Sequence, residues 1–162
     1  GKRQVLVEEF ITRPGKTILQ QGEVVTAFIL PELPVRTGSA YKTHTTRKAL
    51  DLTVVGVAVR LSLEPGGDRI LQARIALGNV SPAPLRAKEA KAVLEGQQVS
   101  ESLMEECADL AVKASRARDS AVRASAQYRT HMVHVLTKRC AADAYYRARM
   151  MKELRPLDEN AD

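Results

Sequence analysis

Gly15-Lys16-Thr17 has the residue types of a phosphate-binding loop, in which backbone amides cradle phosphate oxygens and a lysine neutralises them. That loop needs another glycine where Phe10 stands, so the motif is incomplete. There is no dinucleotide fingerprint either: Gly66 and Gly67 are followed by no third glycine at the required spacing, and they open a strand instead of a helix. His131 and His134 lie one helical turn apart and could share a metal, but neither neighbouring turn supplies an obvious carboxylate or thiolate. His44 is solitary in a polar stretch, which suits an ordinary surface role. Ser81, Ser120 and Ser125 sit in no nucleophile elbow, so a hydrolase has no support. Cys107 and Cys140 lack the close spacing of a metal knuckle or redox dithiol, and their apolar neighbours mark them as reduced core thiols. On residue types alone, Tyr41 and Lys42 read as a half-buried strand residue and its solvent-facing neighbour. Arg47, Asp51, Arg123 and Arg129 suit structural pairing of guanidinium with carboxylate. Without a convergent acid, base and nucleophile, an independent small enzyme is the weakest reading.

The elements that must position these residues change character along the chain. Gln4–Val7 reads as a short strand, Glu8–Ile11 as a helical turn and Arg13-Pro-Gly15 as a chain reversal, too little to bury a core. Strands are then expected over Glu23–Leu30, ended by Pro31 and Pro34, over Ser39–Thr45, over Leu52–Leu63 and over Arg69–Leu77. Leu52–Leu63 is β-branched and nearly continuously apolar to Val59, as a central strand would be. The turn Glu64-Pro-Gly-Gly-Asp68 makes an antiparallel hairpin of the last two. Beyond Pro84 the periodicity turns helical: Ala87–Leu94 stopped by Gly96, then a helix capped by Ser100 with Leu103, Cys107, Leu110, Ala111 and Ala114 on one stripe. A third helix starts near Arg123 and lines up Tyr128, Met132, Val135, Leu136, Cys140 and Ala144. Strands first and helices second predict an α+β fold, an antiparallel sheet of three to four strands with three helices on one face, the last of them long.

The chain has 162 residues, 44% of them hydrophobic, enough for one domain with a real core, or for one domain carrying a piece of another. No apolar run is long enough to span a bilayer and no secretion signal is evident, so a cytoplasmic, non-membrane protein is expected. The net charge of +6 invites a nucleic-acid partner through counterion release. However, the basic residues of the last third are interleaved with apolar ones at helical spacing, there is no Trp, and no reader motif occurs, so nucleic acid is disfavoured.

Several segments in register carry a family resemblance. They are Phe10-Ile-Thr-Arg-Pro-Gly-Lys-Thr17, then Ala40-Tyr-Lys-Thr-His-Thr-Thr-Arg-Lys-Ala-Leu-Asp51 running into Leu52-Thr-Val-Val-Gly-Val-Ala-Val-Arg-Leu61, then Ala73-Arg-Ile-Ala-Leu-Gly-Asn-Val-Ser-Pro-Ala-Pro-Leu-Arg86, and Arg123-Ala-Ser-Ala-Gln-Tyr-Arg129. From Phe10 to Arg149 the chain resembles the C-terminal domain of the FAD-binding (medium) subunit of molybdenum hydroxylases, the family of the carbon monoxide dehydrogenase medium subunit and the xanthine dehydrogenase FAD-binding subunit. The resemblance implies that residues 1–21 are the tail of a preceding FAD-binding domain and that residues 22–162 form the C-terminal domain. It implies that Tyr41 lies near the isoalloxazine ring, that Lys42 approaches the flavin, and that the stretch around Val25 touches the cofactor through its backbone. FAD would be shared with the upstream domain, while molybdopterin and iron–sulfur clusters belong to partner subunits. The chain would wall the FAD and dock those subunits for electron transfer, without hydroxylase activity of its own. Relatives usually carry an acidic residue two positions before Arg123; this chain has Ala121 there, and Asp119 is the carboxylate that could reach the same guanidinium. The competing reading is a noncatalytic basic interaction module that binds an acidic protein or a nucleic acid.

Overall fold

The computed structural model describes residues 1–47, 52–121 and 124–151. Its centre is a four-stranded antiparallel sheet in the order β3-β4-β5-β6, formed by β3 (Thr37–Thr45), β4 (Thr53–Leu63), β5 (Ile70–Gly78) and β6 (Leu85–Arg86). Three helices follow, α2 (Lys88–Leu94), α3 (Glu101–Ala114) and α4 (Ala126–Met150). Ahead of the sheet lie a single helical turn, α1 (Val7–Phe10), and a minimal hairpin of β1 (Ile11–Arg13) and β2 (Lys16–Thr17). This is the expected α+β order, with the expected long final helix.

Pleating decides which side chains meet the helices. Side chains alternate between the two faces of a strand, and a Cβ added at Gly38 would collide with the α4 backbone, 2.0 Å from the Ala144 carbonyl oxygen. Gly38, Ala40, Lys42 and His44 therefore face the helices, as do their register partners Leu61, Val59, Val57 and Val55 on β4. On β5 the same face holds Ala73, Ile75 and Leu77. All of these β4 and β5 residues are buried, and fully burying such an aliphatic side chain contributes about 1.5–3 kcal/mol. The core is thus one-sided, and α4 lies against it with a stripe of Val133, Leu136, Thr137, Cys140, Ala141, Ala144 and Ala148.

Three expectations are corrected. Glu23–Leu30 forms no strand among the described residues; Val24, Phe28, Ile29 and Leu30 are exposed, because a β segment without a neighbour has no ladder to join. The fourth strand is β6, two residues long and too short for alternation to reveal. Gln4–Val7 is likewise not a strand, and Val7 instead begins α1. On α4 the buried stripe holds Leu136, Cys140 and Ala144 as expected, but it opens on Arg129 and Val133 where Tyr128 and Met132 were expected, and Tyr128 is 43% exposed. Its first member is an arginine, which a count of apolar residues passes over. Arg129 earns its burial by donating to the carbonyls of Arg118 at 2.6 Å and Val54 at 3.4 Å.

Candidate functional site

Of the candidate residues, Tyr41 lies on the outer face of the sheet. Facing away from the helices are Ser39, Tyr41 and Thr43 of β3, Gly56, Ala58 and Arg60 of β4, and Arg74, Ala76 and Gly78 of β5. Arg86 of β6 joins them opposite Ala76. Tyr41 is 68% exposed. A Cβ at Gly56 would lie 3.1 Å from its hydroxyl oxygen and 3.5 Å from Cε2, so the absent side chain at Gly56 leaves the bed on which this ring rests. Beside it opens a shallow cavity of about 580 Å³, with Ala58 and Ala76 in its lining and Arg60, Arg74, Arg86 and Arg147 around it. Small residues in the middle of a sheet leave depth, and the long cationic side chains around them supply charge. A flat aromatic surface with a clear bed suits a planar ring such as isoalloxazine.

Tyr41 and Lys42 do not share a surface. Adjacent on β3, they point to opposite faces, and the Lys42 Nζ lies 2.6 Å from Asp143 of α4. Because β3 is the edge strand of the sheet, a group approaching that edge would meet Tyr41 from one side and Lys42 from the other. Val25, 47% exposed, sits in the extended approach to β3 and is not gathered with either residue.

The remaining candidates have other partners. The His44 Nε2 is 3.1 Å from the Tyr128 hydroxyl, with the two rings edge to face. The His134 Nε2 lies 3.0 Å from Glu105 and 3.4 Å from Asp109, both on α3, so the carboxylates missing from neighbouring turns come from another helix. Glu105 also pairs with Lys138, whose hydrogen bond holds the Glu105 carboxyl below its ordinary range. Asp119 accepts from the Ala126 amide at 2.7 Å and so serves the start of α4. Arg123 and Asp51 lie outside the described residues. Lys16 and Thr17 are in β2, not at a helix start, which accords with the incomplete phosphate loop. Cys107 and Cys140 are free and buried; burial pushes the Cys107 thiol up to about 12 and that of Cys140 to about 11.

Residues 39–144 match the CO dehydrogenase flavoprotein C-terminal domain. The chain belongs to that family. Among curated relatives of this CO dehydrogenase flavoprotein domain, the carbon monoxide dehydrogenase medium chain of Afipia carboxidovorans is 33% identical over 149 residues, covering 92% of this chain and 50% of the relative. The xanthine dehydrogenase FAD-binding subunit of Escherichia coli is 29% identical over 145 residues, covering 89% and 49%. Among solved structures, the carbon monoxide dehydrogenase of Hydrogenophaga pseudoflava superposes with a TM-score of 0.78 at 29% identity, covering 86% of this chain and 47% of that one. Quinoline 2-oxidoreductase of Pseudomonas putida gives 0.76 at 27%, covering 90% and 49%. The chain spans about half the length of the curated relatives it matches. Among the described residues no helix is long and apolar enough to cross a membrane.

The arginine group around the cavity was not among the residues singled out from sequence. The hairpin turn alone does not reveal it: the register beside the turn pairs Leu63 with Ile70, and only the shift between Ser62 and Leu63 brings Arg60 opposite Arg74. Arg86 was beyond reach, since its place depends on β6.

Proposed function

We propose that this chain is the C-terminal part of the flavin subunit of a molybdenum hydroxylase, working with an upstream FAD-binding domain, an iron–sulfur subunit and a molybdopterin subunit. Residues 1–21 would be the tail of the upstream domain and residues 22–162 the domain that walls the flavin, in a cytoplasmic enzyme. The observation that carries this reading, given the family, is the Tyr41 ring, exposed and laid over Gly56 on an open sheet face. FAD, when bound, supplies the redox chemistry that takes up electrons from the clusters. The residues of this chain orient and shield it: Tyr41 packs on the isoalloxazine, Lys42 lends positive charge at the strand edge with its position fixed by Asp143, and the backbone near Val25 closes the rim. Burying a tyrosine face against a ring is worth about 0.5–1.5 kcal/mol beyond the area removed from water. Flavin absorbance and fluorescence, followed as FAD is added to the chain alone and with the upstream domain, test the reading. Binding is expected in the mixture, weakened several-fold by Tyr41→Ala and accompanied by altered reoxidation kinetics. Unchanged affinity and kinetics in that variant would remove Tyr41 from the site. Absence of binding in a mixture of folded, associated partners would overturn the flavin role.

A further inference from the structure

Arginines on the outer sheet face are placed where electrostatics alone would not put them. Arg60 and Arg74 are direct cross-strand partners, and Arg86 pairs with Ala76, two residues along β5 from Arg74. Like charges directly opposite each other destabilise a sheet. Partial burial, and then the fields of Arg74 and Arg86, hold the Arg60 guanidinium below its ordinary value. Compensation is thin. Arg86 has Glu8 at 3.9 Å, Arg60 donates to the neutral amide of Gln72 at 3.0 Å, and Arg147 donates to the Ser39 carbonyl at 2.5 Å. Arg74 has no hydrogen-bond or ion-pair partner among the described residues. Carboxylates are not scarce elsewhere: Arg3 pairs with Glu23, Arg69 with Glu64, and Arg36 and Arg149 with Asp68. The deficit is local to a concavity of about 580 Å³, which is the size of a small-ligand site.

Guanidinium forks bind carboxylate or phosphate oxygens in pairs. Several forks converging on one hollow suit a tetrahedral group with three or more acceptor oxygens better than a planar carboxylate. We propose that this cavity is a phosphoryl-binding site in which Arg60, Arg74 and Arg86 take the oxygens of a phosphate or diphosphate group while Arg147 closes the rim. The site does not depend on the flavin reading, and its phosphoryl group can belong to FAD itself or to a separate phosphorylated ligand.

The test is calorimetric titration of the chain with inorganic pyrophosphate at low and at moderate salt, beside two double variants. Arg60→Gln with Arg74→Gln removes the cross-strand pair; Lys113→Gln with Arg116→Gln removes equal charge at the neighbouring hollow by Pro82 and Pro84, on the far side of the shared Arg86. Saturable binding is expected, weakened about tenfold or more by the first pair, since a hydrogen bond to a charged group is worth about 1.5–3 kcal/mol, and unchanged by the second. The first variant should melt no lower than the parent, because it relieves like-charge repulsion, so lost binding cannot be ascribed to unfolding. No saturable binding, or equal losses in both variants, would overturn the site. Binding of polyglutamate that pyrophosphate cannot displace would overturn it too, in favour of an acidic protein partner. With the upstream domain present, competition between pyrophosphate and FAD assigns the group to the cofactor's own diphosphate, and independent binding assigns it to a second ligand; both keep the site. Intact pyrophosphate binding without FAD uptake overturns the flavin proposal alone.

Discussion

At Gly38 a single hydrogen sets how closely two layers approach. A Cβ there would stand 2.0 Å from the Ala144 carbonyl oxygen and 2.4 Å from the Ala148 amide nitrogen. Both obstacles are backbone, so no rotamer change relieves the clash, and the whole of α4 must move. Overpacking ordinarily costs about 1–3 kcal/mol, and a backbone collision belongs at the upper end. Gly38→Ala is therefore expected to lower stability by about 3 kcal/mol in urea denaturation; a loss below about 0.5 kcal/mol, the ordinary range for a surface change, would show that β3 and α4 do not meet this closely. Gly56 makes an instructive contrast. Its added Cβ would meet the end of the Tyr41 side chain, which can swing aside, so the same substitution there disturbs the candidate site more than the fold. Neither role was visible in the sequence. Both glycines sit inside strand patterns with nothing local to mark them, and what makes them necessary lies many residues away.

The elements show where local chemistry suffices and where it fails. Ser100 was recognised as a helix cap from sequence, and its Oγ does accept the Leu103 amide at 3.2 Å. The start of α4 was placed near Arg123, but the helix begins at Ala126, with the Ser125 Oγ accepting the Tyr128 amide at 3.2 Å and Asp119 accepting that of Ala126. Two side chains thus satisfy amides that the first turn leaves without intrahelical partners. Ser125→Ala should cost about 1 kcal/mol. Chemical denaturation would measure it, and a neutral result would mean that Asp119 alone holds the first turn. On β5 the alternation Leu71, Ala73, Ile75, Leu77 was legible, yet Leu71 is 55% exposed and Ile70 is buried instead. A register shift between Ser62 and Leu63 exchanges the faces at that end, and one extra residue in a ladder leaves no trace in hydrophobic periodicity. The order of strands and helices was legible because each segment's period is local. The pairing of His134 with Glu105 and Asp109 was not, since it joins two helices.

For the whole molecule, the decisive contrast is between a finished core and an unfinished approach to it. From Thr37 onward apolar side chains converge between sheet and helices, whereas Val24, Phe28, Ile29, Leu30 and Val35 stand 69–87% exposed. Apolar exposure of this kind suits a surface that another polypeptide would cover. The sequence reading of Glu23–Leu30 as a strand was sound as propensity, and the missing ingredient is a neighbour. Relatives of about twice this length supply the obvious place to look, in the half that this chain does not match. If the upstream domain covers the segment, limited chymotrypsin digestion of the chain alone should make its first cuts after Phe28, since Pro31 and Pro34 block cleavage after Leu30 and Leu33, and leave a resistant product from Ile29 onward, because cleavage follows local opening and this site has no core to leave. Adding the upstream domain should slow those cuts by about an order of magnitude or more without changing the resistant product, since an edge that gains a ladder is exposed only when the ladder opens. Equal rates with and without the domain, in a mixture shown to associate, would place the covering surface elsewhere and leave the apolar approach to β3 without its proposed partner.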